Sequence, residues 1–147
     1  MTEFEDFYRA NWSVMVRLAW LLSGSRQDGE DVVHDAFLRV EERFDDLVVP
    51  EAYLRRAVVN GVLALQRRRA VERRHRSAPE IWHLDPDVEE VWAAVRHLPD
   101  RQREALVLRF YLDLSLEQVA DHLGCPVETA KSLVHRGVAA VRRRVMP

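Results

Sequence analysis

The sequence predicts an all-α protein built as two small helical domains joined by a linker. Three observations lead there. Apolar residues recur at helical spacing through most of the chain, and no convincing period-two strand pattern occurs. The helical period lapses in "RRHRSAPEIWHLDP", residues 73–86, which holds Pro79 and Pro86. Near the C-terminus a short amphipathic stretch, a glycine turn and a polar-faced stretch follow one another in a helix-turn-helix pattern. With 147 residues, 48% of them hydrophobic, the chain can bury one ordinary core or two small ones. The expected boundaries are a first domain over 1–72, a linker over 73–86 and a second domain over 87–147.

The first predicted helix runs from about Glu3 to Leu22, with Phe4, Phe7, Tyr8, Trp12, Met15, Leu18, Ala19 and Leu22 on one apolar face. "SGSRQDG" ends it. The second spans about Gln27 to Phe44 and carries Val33, Phe37, Val40 and Phe44 at helical spacing. "DDLVVP" is a loop whose Pro50 suits the start of the third helix, because its missing N–H is not needed there. That helix covers about Glu51 to Arg69, buries Leu54, Ala57, Val58, Val62 and Leu65, and ends in arginines. Beyond the linker come helices at Val88 to Leu98 and Asp100 to Tyr111, separated by Pro99.

The last unit is the most explicit. Ser115 is a good N-cap, and Gln118 three residues on completes a capping box. Leu116, Val119, Ala120 and Leu123 form one apolar face. Gly124 suits a left-handed C-cap, and Pro126 the first turn of the next helix. In that final helix Val127, Ala130, Val134, Val138 and Val141 are expected inward, with Glu128, Thr129, Lys131, Ser132, His135 and Arg136 outward. A face of small polar and basic residues near a helix N-terminus is what reading base edges in the major groove requires.

Charge is unevenly spread behind a net charge of -2. Asp28, Glu30, Asp31, Asp35, Glu41, Glu42, Asp45 and Asp46 face only Arg39 and Arg43 in that stretch. Arg67, Arg68, Arg69, Arg73, Arg74 and Arg76 follow with Glu72 alone among them, and Lys131, Arg136, Arg142, Arg143 and Arg144 make the C-terminal part basic. Basic blocks suit nucleic acid, and an acidic helix suits a basic protein partner. Lys131 is the only lysine. The planar arginine fork that replaces it elsewhere donates in pairs to phosphates and base edges.

Other function classes find little support. No run approaches the roughly 20 apolar residues of a membrane span; the best, Val14 to Leu22, is short and carries Arg17. The acidic start "MTEFEDFYRANW" has no signal-peptide layout. A lone Cys125 makes no internal disulfide, which fits a reducing cytoplasm. His122, Cys125 and His135 are the best metal candidates, but a second ligand pair is missing, so no metal or cofactor is expected. With no nucleophile–base pair and no phosphate-cradling loop, the chain is not read as an enzyme.

The segment "LPDRQREALVLRFYLDLSLEQVADHLGCPVETAKSLVHRGVAAVRRRV" resembles region four of bacterial sigma factors of the extracytoplasmic-function (ECF) group, in the sigma-70 family. The matching residues are Leu98-Pro99, Gln102-Arg103-Glu104, Asp113-Leu114-Ser115, Ala120, Leu123-Gly124 and Thr129 to Arg136. "GEDVVHDAFLRVEERF" and "YLRRAVVNGVLALQRRR" are similar to region two, in the family's order and spacing.

The resemblance implies an alternative sigma factor that binds core RNA polymerase and directs initiation at chosen promoters. Asp31, Asp35, Phe37, Leu38 and Arg39 fall on the motif that docks on the clamp helices of the largest polymerase subunit. The loop Phe44 to Pro50 and the third helix would meet the −10 element, with Phe44 in the loop, Arg56 and Asn60 at family positions, and Arg67, Arg68 and Arg69 on phosphates. Arg103, Thr129, Lys131, Ser132, His135 and Arg136 would face the −35 element. An anti-sigma factor is the further partner that family practice suggests. Leu133 stands where the family usually has arginine, and is expected to expose an apolar side chain on the DNA face. Glu41 replaces a usual Trp, His34 a usual Gln, and Val59 a common basic residue. The alternatives are a stand-alone helix-turn-helix regulator, which would need no region-two motif, and a sigma-like decoy without promoter function.

Overall fold

The computed structural model describes residues 2–70 and 86–146. The chain divides into two compact units, Met1–Arg76 and Ser77–Pro147. All regular structure among the described residues is helical. The expected linker lies outside those residues except for Pro86, which opens a helix.

Unit 1 packs three helices, α1 (Glu3–Ser23), α2 (Arg26–Arg43) and α3 (Pro50–Ala70). Each boundary has a local cause. The Thr2 hydroxyl accepts from the Glu5 N–H at 3.1 Å, and Glu3, Glu5 and Asp6 complement the positive helix end. Gly24 closes α1 at φ 76°, where a side chain would be strained, and its N–H reaches the Trp20 carbonyl at 2.7 Å. Ser25 then caps α2, accepting from the Asp28 N–H at 3.3 Å. The loop after α2 opens with a short 3-10 turn, Phe44–Asp46.

The core of unit 1 is apolar and aromatic. Leu18, Trp20, Leu22, Val33, Val40, Leu54, Val58 and Val62 are all buried. Val59 joins them at 1% exposure, which explains why a basic residue is absent there. Phe37 sits under the α1 aromatics, its ring 4.6 Å from Tyr8, 5.9 Å from Phe7 and 6.0 Å from Trp12. Edge-on and tilted pairs of this kind add about 0.5–1.5 kcal/mol each beyond area burial. α2 and α3 come close at Gly61, where an added Cβ would lie 2.8 Å from Val32 Cγ1.

Unit 2 contains α4 (Pro86–Arg96), α5 (Asp100–Leu106), a π-helical turn (Val107–Tyr111), α6 (Leu116–Leu123) and α7 (Val127–Val145). The continuous helix expected over Asp100 to Tyr111 is therefore α5 followed by a wider turn. Asp113 takes φ 56°, a left-handed conformation that Asp tolerates better than most residues. The capping box is present in both directions: Gln118 N–H to Ser115 Oγ at 3.1 Å, and Ser115 N–H to Gln118 Oε1 at 2.9 Å. Gly124 is left-handed at φ 64°. Pro126 is the N-cap of α7, one residue outside the first turn expected for it.

The buried stripe of α7 keeps Ala130 from the expected one and otherwise differs. Ala130, Leu133 and Gly137 face the core; Val134 and Val138 are half-buried and Val127 is exposed. Gly137 decides this. An added Cβ there would lie 3.0 Å from Leu106 Cγ, so Leu106 occupies the space a side chain would take. The cost of about 1 kcal/mol for glycine within a helix is met by this close approach.

Phe37→Ala is expected to lower the stability of unit 1 by about 3–5 kcal/mol. Urea unfolding followed by circular dichroism measures it. A surface residue at that position would change stability by less than about 0.5 kcal/mol.

Candidate nucleic-acid interface

The helical period sorts the α2 residues into two faces. Val33, Ala36, Phe37 and Val40 point into the core, while Asp31, Asp35, Leu38 and Arg39 lie on the exposed side. Phe37, expected at a partner surface, is only 2% exposed and belongs to the core. Leu38 is 48% exposed and gives this acidic face an apolar contact.

The exposed face of α2 forms one wall of a cleft of about 350 Å³ against α3. Asp28, Asp31, Asp35 and Arg39 line that wall, and Asn60, Arg68 and Arg69 line the other. The structure thus brings together two groups that the sequence reading kept apart, the acidic residues and the −10 residues. Asn60 is exposed, as is Arg56, so neither is a buried structural amide or core cation. Arg67, Arg68 and Arg69 stand exposed in the last turn of α3, where the negative helix end favours cations. Arg69 forms an ion pair with Asp28 across the cleft mouth.

Phe44 is half-buried, with ring centroids 5.5 Å from Phe4 and 5.4 Å from Phe7. It anchors the loop to the aromatic cluster. The loop's freely presented side chains are Val48, at 96% exposure, and Val49, at 55%. The sequence signal for them was the pair of valines before Pro50, outside any helical period. Arg43 lies over the Tyr53 ring at 5.1 Å and ties the loop's two ends together.

In unit 2, α7 exposes Thr129, Lys131, His135 and Arg136 along one side, with Ser132 half-buried among them. Arg136 donates to Ser132 Oγ from Nε at 3.2 Å and Nη2 at 2.9 Å, which orients its planar fork. Two other arginines hold the helix-turn-helix in shape. Arg101 Nη2 donates to the Leu123 carbonyl at the end of α6 at 2.8 Å, and Arg109 Nη1 to the Leu114 carbonyl at 3.0 Å.

Two expectations need correction here. Arg103, expected on backbone phosphate, is 1% exposed and lies 3.0 Å from Asp100 within α5. Beside it Glu104, at 2% exposure, lies 3.8 Å from Arg101. The buried Arg103 and Glu104 are therefore paired with the more exposed Asp100 and Arg101, since an ion taken from water must be paired. Leu133, expected on the DNA face, is 8% exposed and packs inward.

Because α7 turns Leu133 inward, its valines border an apolar groove of about 620 Å³. Phe110, Leu116, Val134, Val138 and Ala139 line it, with Arg109, Lys131, His135, Arg142 and Arg143 among its basic residues. Phe110 is 54% exposed. His122 and Cys125 are half-buried near the turn and His135 is exposed; among the described residues no group of three or more His, Cys, Asp or Glu is arranged to hold a metal ion. No helix among the described residues is long and apolar enough to cross a membrane.

Comparison with known proteins accounts for both units. The family model for sigma-70 region 2 matches residues 7–72, and that for sigma-70 region 4 matches residues 88–141. The chain belongs to the sigma-70 family. Its relatives indicate the ECF group. It is 28% identical to the RNA polymerase sigma-E factor of Streptomyces avermitilis, over 97% of this chain and 85% of that one. It is 30% identical to the ECF RNA polymerase sigma factor SigE of Mycolicibacterium smegmatis, over 97% of this chain and 61% of that one. The fold is also similar to that of the sigma factor RpoE of Bartonella quintana, solved in complex with the anti-sigma factor NepR. The TM-score is 0.68 at 21% identity, covering 99% of this chain and 98% of that one. As a sigma factor the chain directs transcription by RNA polymerase.

Restoring the family's usual arginine by Leu133→Arg is expected to destabilise unit 2 by about 2–5 kcal/mol, because it removes a buried leucine and puts a charge in its place. Thermal unfolding measures this. A stable variant with tighter DNA binding would return position 133 to the DNA face.

Proposed function

We propose that this sigma factor binds core RNA polymerase through the exposed acidic face of α2 and reads promoters with both units. Residues 1–72 act as region 2, 73–86 as a linker and 87–147 as region 4. Asp31, Asp35, Leu38 and Arg39 meet the clamp helices of the largest polymerase subunit. Opposite carboxylates favour a basic partner surface, and Leu38 adds apolar area at its centre.

In unit 1 the −10 element is held by α3 and the preceding loop. Arg56 and Asn60 meet the strand, and Arg67, Arg68 and Arg69 anchor phosphates without reading sequence. Val48 and Val49 supply the apolar wall that an unstacked base needs. In unit 2, Thr129, Lys131, His135 and Arg136 read the −35 element, and Ser132 orients Arg136. The groove beside Phe110 is a seat for an apolar helix of an anti-sigma factor, a partner class supported by the complex in which the Bartonella quintana relative was solved. The chain itself catalyses no reaction and works in the cytoplasm.

The observation that carries this reading over a stand-alone helix-turn-helix regulator is region 2 itself. A DNA-binding regulator has no use for an α2 whose outer face is acidic and whose neighbouring α3 ends in three exposed arginines. The decisive experiment is run-off transcription from a promoter library, using core polymerase of the same organism. Promoter-specific transcripts that need this protein are expected; core binding without transcripts would favour a decoy.

Two variants test the surfaces separately. Replacing Arg67, Arg68 and Arg69 together by Ala is expected to weaken promoter opening and lower the salt slope by about 2, at roughly 0.7 per phosphate on a single strand. An unchanged slope removes them from the phosphate contacts. Asp35→Arg is expected to weaken core binding about tenfold or more while circular dichroism stays unchanged, since like charges then meet across the interface.

A further inference from the structure

The cleft of unit 1 holds opposed charges that belong to different jobs. Its α2 wall presents Asp28, Asp31 and Asp35, and its α3 wall presents Arg68 and Arg69. Asp28 has no part in the polymerase or promoter contacts proposed above. It nevertheless pairs with Arg69, one of the three proposed phosphate anchors. The Asp28 side chain is 22% exposed and that of Arg69 47%, so the pair stands at the edge of the cleft, partly in water.

We infer that Asp28 is an internal phosphate mimic, which occupies Arg69 in the free chain and holds back its binding to single-stranded nucleic acid. The carboxylate presents a pair of anionic oxygens, as the non-bridging oxygens of a phosphodiester do, and the guanidinium fork donates to either partner. A strand phosphate must displace Asp28 to reach Arg69. Displacement leaves a carboxylate unpaired beside Asp31 and Asp35, on a wall that repels the incoming phosphate. Asp28 is well suited to this because its place is fixed. Its N–H is bonded to the Ser25 N-cap in the first turn of α2, so the carboxylate stays opposite the end of α3. The inference rests on the reading of Arg69 as a phosphate anchor.

The test is a double-mutant cycle on the full-length chain, read by fluorescence anisotropy of a labelled oligothymidylate across a salt series. Asp28→Asn removes the charge and keeps the shape. It is expected to tighten binding about threefold to fivefold, the scale of one exposed ion pair, and to steepen the salt slope by about 0.7. Arg69→Ala should abolish that gain, so that the double variant binds like Arg69→Ala alone. No change on Asp28→Asn overturns the inference. So does an equal gain in the Arg69→Ala background, which would mark a general effect of removing one negative charge. The oligothymidylate assay needs neither promoter nor polymerase. A failed transcription experiment therefore leaves this test standing, and the converse holds too. Asp35→Asn, on the same wall, controls for overall charge and should give less than half the gain.

Discussion

α7 reaches α5 because position 137 carries no side chain. Leu106 fills the space where a Cβ would stand, and this contact fixes the rotation of α7 about its own axis. Everything functional in unit 2 follows from that angle. With Ala130, Leu133 and Gly137 turned inward, Thr129, Lys131, His135 and Arg136 point to solvent together. A helix that reads DNA must present one stripe at a defined angle, since base edges are recognised over a few ångströms. Buried Arg103 paired with Asp100, and buried Glu104 beside Arg101, serve the same end. They secure α5, and Arg101 reaches on to the last turn of α6. The arginines of this segment thus hold α6 and α5 in place beside α7.

Much of this was legible in the sequence where one local rule decides. The capping box at Ser115 and Gln118, the left-handed Gly124 and the core stripes of α1 to α3 each depend on neighbours within a single turn. Rotation of α7 was not legible in this way. The helix carries two apolar stripes about one residue apart, Ala130–Leu133–Gly137 and Val134–Val138–Val141. Periodicity placed Ala130 inward correctly but continued from it to the larger valines, and so passed over Leu133 and Gly137. Only the partner, Leu106, selects between them. Arg103 was misread for a related reason. An arginine in a polar motif looks exposed unless its counter-charges are known to fold over it, and Asp100 does so one turn back on the same helix.

Phe37 is a milder case. It lies within a motif linked to polymerase contact, yet helical spacing already grouped it with Val33 and Val40. The motif mixes residues that build the surface with residues that form it. α2 must satisfy both demands on one cylinder, so apolar and acidic positions alternate along it at helical spacing. Leu38 is the exception on this face, an exposed leucine between Asp35 and Arg39, and it is the residue on which the proposed interface turns.

A protein of net charge -2 that handles DNA is consistent once the charges are placed by element. The acids of α2 lie across a cleft from the arginines of α3, close enough for one pair to form directly. Such an arrangement lowers the long-range attraction between the free chain and any polyanion, since paired charges present a dipole that salt screens within about 10 Å. It leaves short-range contacts available once a partner brings the strand to the surface. The same acids that attract a basic protein are therefore the ones that keep the arginines from binding nucleic acid indiscriminately. In the proposed function, discrimination begins with this charge balance inside unit 1, before any base edge is met by α7.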